Sequence, residues 1–309
     1  MRDALEKWIA EQRGIASAVV ELRRITTGHS RANWYLELAD GERYVVRIEQ
    51  GGVFGTSGAD EFEFMRAAAR LGCPVARVRW IDTSGEVIGH PFFVMDFVVG
   101  APPAREERAL SSDLAEDFVR HLADLHNRDW TQELAIDGDA AGITHSQIDR
   151  WTAVYRNSSP IADPLLEEAR TWLHHNALAI ARPSIVHGDP GPGNFVHDGQ
   201  RVLALTDWEF AHIGDPTEDW AYLISMRGSR TMPREAWLAL IDRVAGVTLT
   251  DRDLRYWGAF NFFKGACANL SCIRAFAGPN PAPNMAMIGT VLQQTFTSQL
   301  ASLVAGDSP

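Results

Sequence analysis

Residues 187–195 read HGDPGPGNF, a stretch too rich in glycine and proline for a helix interior and too polar for a buried strand. So stiff a bend fixes the side chains it carries: His187, Asp189 and Asn194. Just downstream, FVHDGQRVLALTD sets Asp198-Gly199 between two short apolar runs, the signature of a β-hairpin. The residue before the first strand of a hairpin and the residue after its second lie at the same end, so Asn194 and Asp207 are expected side by side. Asp189 is held beside the same rim by the Pro-Gly-Pro-Gly turn. One Asp and one Asn, with water and phosphate oxygens completing an octahedron, make a usual cradle for Mg²⁺, and a remaining carboxylate just outside it is free to act as a base.

Taken singly, Asp189 and Asn194 are better explained as turn residues that satisfy their own backbone. The combination of Asp, four residues, Asn, a hairpin and then Asp is what points to a site. His187 is expected to order the bend by hydrogen bonding rather than to act as the base. His197 and His212 lack the spacing of a zinc set.

Elements on both sides must hold this bend. In residues 1–98, AVVELRRIT (18–26), NWYLELA (33–39) and RYVVRIE (43–49) carry β-branched and aromatic residues with partial alternation, and Asp40-Gly41 is a hairpin turn signal. ADEFEFMRAAARLG (59–72) places Phe62, Met65 and Ala69 at helical spacing and ends at glycine. ARVRWID and HPFFVMDFVVG supply two further strands. The prediction is a five-stranded antiparallel sheet with one helix inserted after the third strand. After Gly100-Ala101-Pro102-Pro103 the pattern turns mainly helical, with segments at 111–129, 146–157, 163–178, 215–227, 233–244, 251–276 and 284–304 around a small β island at 184–207. GDPTEDW reads as a helix start, with Asp215 as cap, Pro216 in the first turn and Glu218 closing a capping box.

HGDPGPGN followed by LTDWEFAHIGDPTEDWAYL resembles the aminoglycoside phosphotransferase family, a branch of the protein-kinase-like fold that also holds choline kinases and other small-molecule kinases. TTGHSRANWYLEL, YVVRIE, DEFEFMRAAARLGCPVARV, FVMDFVVG and LADLHNRDW fall in family order, so the resemblance covers nearly the whole chain. The Asp-Trp-Glu triplet at 207–209 is similar to the branch of kinase domains linked to acyl-CoA dehydrogenases.

The resemblance implies an α+β, two-lobe fold: a nucleotide-binding lobe over 1–98, a hinge near 95–100, and a mainly helical lobe over 101–309 with the acceptor site. It implies that Asp189 is the base toward a substrate hydroxyl and that Asn194 and Asp207 are the Mg²⁺ ligands. It places the donor-phosphate cation at Arg47, where many relatives have Lys; this chain has no Lys between residues 8 and 263. An Arg fork grips phosphate oxygens in pairs, so the role survives the exchange. Glu61 is the expected ion-pair partner of Arg47, with Glu63 as the fallback. Backbone groups at Gly28, His29 and Ser30 are expected over the donor phosphates, and those at Asp96 and Val98 against the purine edge. Asp219 has two readings, a brace for the catalytic loop backbone or simple helix surface. No role is evident for Glu209.

The implied activity is an ATP- and Mg²⁺-dependent O-phosphotransfer to the hydroxyl of a small molecule. The alternatives are a GTP-preferring, macrolide-type phosphotransferase and a catalytically silent kinase-like nucleotide-binding module. The aromatic and small residues of YWGAFNFFKGACANLSCIRAFAG read chiefly as core, and any part lining the pocket would favour an acceptor with an apolar portion. Glu209, Asp242 and Asp251 are the candidate carboxylates for a cationic acceptor. A net charge of −11 argues against nucleic acid as a partner. No run of about 18 apolar residues suggests a membrane span, and three unpaired cysteines suggest a reducing cytoplasm. No protein partner is inferable.

Overall fold

The computed structural model describes residues 1–25, 31–49, 53–101, 110–135, 140–278 and 283–306. An amphipathic first helix, α1 (Arg2–Arg13), ends at Gly14 and buries Leu5 and Ile9. Strands β1 (Val19–Ile25), β2 (Ala32–Leu38), β3 (Arg43–Ile48), β4 (Val78–Asp82) and β5 (Phe92–Asp96) form one antiparallel sheet in the order β1-β2-β3-β5-β4. The predicted sheet is therefore present, and so is the inserted helix α2 (Gly58–Arg70). The Ser57 side chain caps α2 by accepting from the Ala59 amide at 3.1 Å, and Asp60 and Glu61 lie in its first turn, where the helix dipole favours negative charge.

A loop the sequence did not reveal ties α2 to the helical part. Phe54 adopts a left-handed backbone (φ 66°), packs on Phe210 at 5.4 Å between ring centroids, and donates its N–H to Ser271 Oγ at 2.8 Å. A non-glycine residue holds such a conformation only where tertiary contacts impose it. Here the anchor is the apolar cluster around Trp151, Phe260 and Phe263.

Beyond residue 110 come α3 (Ser112–Asn127), α4 (Ala140–Ser158) and α5 (Pro164–His175). The hairpin of β7 (Phe195–His197) and β8 (Val202–Leu205) forms as expected. An additional pair was not expected: β6 (Ser184–Val186) with β9 (His212–Gly214), in the register Ile185 opposite Ile213. The predicted helix over 215–227 is shorter, α6 (Thr217–Tyr222) followed by a π-helical turn at Leu223–Arg227. Next come α7 (Arg234–Ala245) and α8 (Asp251–Phe276). The segment expected as a helix over 284–304 is α9 (Pro283–Met287), a π-turn at Ile288–Leu292 and α10 (Gln293–Ala305). α8 is buried on all sides over its middle, from Tyr256 to Lys264, as the core reading of this stretch anticipated. Among the described residues no helix is long and apolar enough to cross a membrane.

Candidate active site

The bend at 187–194 hangs between two β pairs. β6 delivers the chain to His187, and β7 takes it away after Asn194. The Thr206 amide donates to Asn194 O at 2.9 Å, which closes the open end of the hairpin and sets Asp207 next to Asn194. Asn194 Nδ2 donates to both the backbone carbonyl and Oδ2 of Asp189, each at 2.8 Å. With its NH₂ turned to Asp189, the oxygen of the Asn194 amide is the atom left for a cation. Asp207 sits in a left-handed conformation (φ 66°), with a side chain 31% exposed and Oδ1 2.8 Å from Arg47. Its second oxygen makes the other half of a hard-oxygen donor pair, a set that suits Mg²⁺. Partial burial pushes the Asp207 carboxyl up, and Arg47 more than reverses this, leaving it below the usual carboxylate range.

The bend is braced through its backbone. Asp219, fully buried on α6, accepts from the amides of His187 and Gly188, each at 2.8 Å, and from His126 Nε2 at 2.9 Å. Of the two readings of Asp219, the brace holds. Burial raises the Asp219 carboxyl, while His126 and His187 bring it below its ordinary value. His187 faces the Asp189 amide through Nδ1 at 3.3 Å and Thr206 O through Nε2 at 3.1 Å. One nitrogen thus accepts and the other donates, as in a neutral ring. Burial lowers its pKa against the pull of Asp219 and Asp189, and the ring orders the loop as expected. Gly188 has φ 82°, and a Cβ there would lie 2.5 Å from Phe210 O, so this position requires glycine.

On the sheet side, Arg47 is buried in β3 and pairs with Glu61 at 2.8 Å, as predicted, while its other nitrogens meet Asp207 at 2.8 Å and Asn33 Oδ1 at 3.4 Å. The fallback Glu63 points outward to Arg66. The sequence reading missed Arg31, at the start of β2. It lies 3.1 Å from Glu61 and 3.6 Å from Glu209, which gives Glu209 its place: behind the Asp207 rim, against two guanidinium groups.

Three groups near the bend were also unforeseen. Arg227, at the end of the π-turn, grips Asp189 with two nitrogens, Nε at 2.7 Å from Oδ1 and a terminal nitrogen on Oδ2. Tyr222 lies beside both, and burial together with Asp189 pushes its phenol well above the ordinary range. Lys264 reaches the bend from α8. Arg227 gave no sequence signal, but a solitary lysine in an apolar helix of an arginine-rich chain was a visible one.

Several expectations need correction or fall outside the description. Gly28, His29 and Ser30 lie outside the described residues. The Asp96 amide donates to Arg77 O at 2.9 Å and its carboxylate is paired with Arg79, so that N–H is not open to a purine. Val98 follows directly, between β5 and the Ala101–His197 bridge. The capping box at Asp215 does not close: Asp215 accepts from the Thr217 amide at 2.8 Å, but Glu218 is buried and turns to Lys264 and His212 instead. Of the candidate acceptor carboxylates, Asp251 pairs with Arg234 at the surface, Asp242 accepts from Thr248 and Glu209 faces Arg31. No cluster of three or more His, Cys, Asp and Glu with metal-binding geometry occurs among the described residues.

Comparison with known proteins gives a consistent answer. The family model described as "Phosphotransferase enzyme family" matches residues 21–256. The mouse protein named acyl-CoA dehydrogenase family member 10 is 30% identical over 239 residues, which is 72% of this chain and 22% of that protein. The chain spans less than a third of the length of the first such curated relatives. A Ralstonia eutropha JMP134 protein with a provisional aminoglycoside phosphotransferase assignment superposes with a TM-score of 0.71 at 22% identity, covering 99% of both chains. A thermostable mutant of aminoglycoside phosphotransferase APH(4)-Ia, solved in ternary complex with ADP and hygromycin B, superposes with a TM-score of 0.65 at 14% identity, again covering 99% of both. These likenesses establish a shared kinase-like α+β fold.

Proposed function

The chain belongs to the phosphotransferase enzyme family, and from that premise we propose that it is an ATP- and Mg²⁺-dependent O-phosphotransferase acting on a hydroxyl group of a small molecule. The observation that carries the reading is convergence. Asp189, Asn194 and Asp207, drawn from a bend and a hairpin, share one rim with Arg47 from the sheet.

In this reading residues 1–98 bind the donor, with a hinge near 95–100, and residues 101–309 carry the bend and the acceptor pocket. Asn194 Oδ1 and the second oxygen of Asp207 would hold the Mg²⁺, which when bound neutralises charge on the donor phosphates. Arg47, fixed by Glu61, presents its remaining donors to those phosphates. Asp189 accepts the proton of the acceptor hydroxyl as the hydroxyl oxygen attacks the terminal phosphorus, whose bond to the bridging oxygen breaks and releases the nucleoside diphosphate. The Asp189 carboxylate is oriented by Arg227, which bonds both oxygens, and by Asn194, which shares Oδ2, so little reorganisation is needed at that step. Asp207 is then the group shared between donor cation and protein, whereas Asp189 meets only the acceptor.

The acceptor is read as partly apolar, because the carboxylates that would have lined a polycationic pocket are engaged elsewhere. The test is a nucleotide-consumption screen with ATP and GTP against aminoglycosides, macrolides, amino alcohols, sugars, hydroxy acids and hydroxyacyl thioesters. With the acceptor found, Asp189→Ala is expected to abolish transfer while nucleotide affinity stays within a few-fold. Asp207→Ala is expected to lose turnover and Mg²⁺-dependent nucleotide binding together. Wild-type-like turnover by the first variant, or unchanged metal dependence in the second, refutes the assignment.

A further inference from the structure

Lys264 is one of only two lysines in the chain, and it lies in the middle of α8 at 3% exposure. Its Nζ donates to Gly188 O at 2.8 Å and to Glu218 Oε1 at 2.6 Å. The other oxygen of Glu218 meets His212 Nε2 at 3.1 Å, and the Glu218 carbonyl accepts from Asn261 Nδ2 at 3.0 Å, one turn before Lys264 on the same helix. Burial alone would raise the Glu218 carboxyl, but Lys264 and His212 hold it below its ordinary range.

An apolar residue would fill this position in α8 at less expense, since a buried ammonium is tolerated only when it is paired and fully hydrogen-bonded. What the cation adds is a hold on one carbonyl. Gly188 must be glycine, because Phe210 O leaves no room for a Cβ, and glycine leaves the backbone its greatest freedom of rotation. The peptide plane between Gly188 and Asp189 is therefore free to rotate unless its own polar groups are held, and it is the plane that aims Asp189. Its carbonyl is bonded to Lys264 and its N–H to His187 Nδ1 at 3.3 Å. The Gly188 amide on the preceding plane is held by Asp219.

We infer that Lys264, seated on Glu218, is a positioning residue for Asp189: it fixes the peptide plane that joins Gly188 to Asp189, from a helix 76 residues further along the chain. The inference rests on the reading of Asp189 as the group that meets the acceptor hydroxyl. Lys264 does not touch the reacting atoms. Its contribution is to the aim of the carboxylate, and displacement of a base by about 1 Å is enough to lower turnover by up to about a hundredfold.

The test replaces the pair together, Lys264→Met with Glu218→Gln, so that no buried charge is stranded. The expected result is a folded protein whose donor KM stays within about threefold of wild type while kcat falls between about ten- and a hundredfold. The amide of Asp189 should exchange with solvent faster, while that of Gly188, held by Asp219, and those of α3 stay as they are. Lys264→Arg, which keeps a cation at the position, should recover part of the loss in kcat. A folded double variant with unchanged kcat, or with unchanged exchange at Asp189, overturns the inference. If the double variant does not fold, exchange at Asp189 in the wild-type protein decides, since its N–H lies on the plane whose carbonyl Lys264 holds: a rate as slow as in the core of α8 supports the clamp, and a rate typical of an open loop overturns it. Exchange is read without turnover, so a slow, clamped bend in a protein that transfers no phosphate would fault the reading of Asp189 and leave the clamp standing.

Discussion

The bend at 187–194 and the charge cluster around Arg47 meet at Asp207 and are held in opposite ways. At the bend, side chains grip backbone: Asp219 takes two amides, His187 a third, and Lys264 a carbonyl. In the cluster, side chains grip one another: Arg47 with Glu61 and Asp207, Arg31 with Glu61 and Glu209. A backbone clamp has one arrangement, because its partners cannot be exchanged without moving the chain. A charge cluster can trade partners, and in the proposed reaction Asp207 must do so, sharing its oxygens between Arg47 and an arriving cation. Damage to the bend should therefore remove stability and turnover together, whereas damage to the cluster should show first in donor binding.

The hardest blow to the comparison is Asp219→Ala. It strands the amides of His187 and Gly188 and the ring of His126 in a fully buried site. Each buried group left without its bond costs about 1–3 kcal/mol, so denaturant unfolding should report a loss of at least about 3 kcal/mol. Turnover should fall to background in whatever protein still folds. A loss below about 1 kcal/mol would mean that the bend is held by something other than its backbone bonds.

Arg47→Lys tests the other side and should be gentler. Lysine keeps the charge but gives up the planar fork that serves Glu61 and Asp207 at once. Donor KM, measured by initial rates, is expected to rise about tenfold, with stability lowered by about 1–2 kcal/mol because a buried carboxylate loses one of its donors. If stability collapsed while KM stayed put, the cluster would be a structural clamp like the bend, and the contrast between the two regions would fail.

How much of this was legible follows from distance along the chain. The five strands and α2 declare themselves by local alternation, and the hairpin by Asp198-Gly199. Asp189, Asn194 and Asp207 could be grouped because one bend and one hairpin connect them. β6 and β9 could not be paired: each is three residues long, and their register joins Ser184 to Gly214. Arg227 and Lys264 come to the bend from 38 and 76 residues away as single side chains, and a single residue has no spacing to read. Glu218 misled because its local pattern fits a capping box. Its carboxylate instead meets Lys264 and His212, and a buried carboxylate gains more from a buried ammonium than from a backbone amide at a helix start.

The finest distinction between the two regions should come from acid. Burial holds the His187 imidazole below its ordinary value, so near pH 6 the unfolded chain takes up a proton there that the folded bend refuses. The state that binds more protons gains as pH falls, so the stability contributed by a neutral His187 is complete above about pH 6.5 and drains away as the pH drops toward the folded value. Asp207, Glu218 and Asp219 have the same sign in a lower window: their folded values lie below the ordinary carboxylate range, and their contribution is lost only as the pH falls below about 4. Unfolding midpoints measured from pH 7 to 5 should therefore decline with a shallow slope, no steeper than about 1.4 kcal/mol per pH unit for this single group. His187→Gln should flatten that limb and leave the steeper fall below pH 4 in place. A limb unchanged by the substitution would assign the early acid sensitivity to another group and separate the titration of His187 from the integrity of the bend.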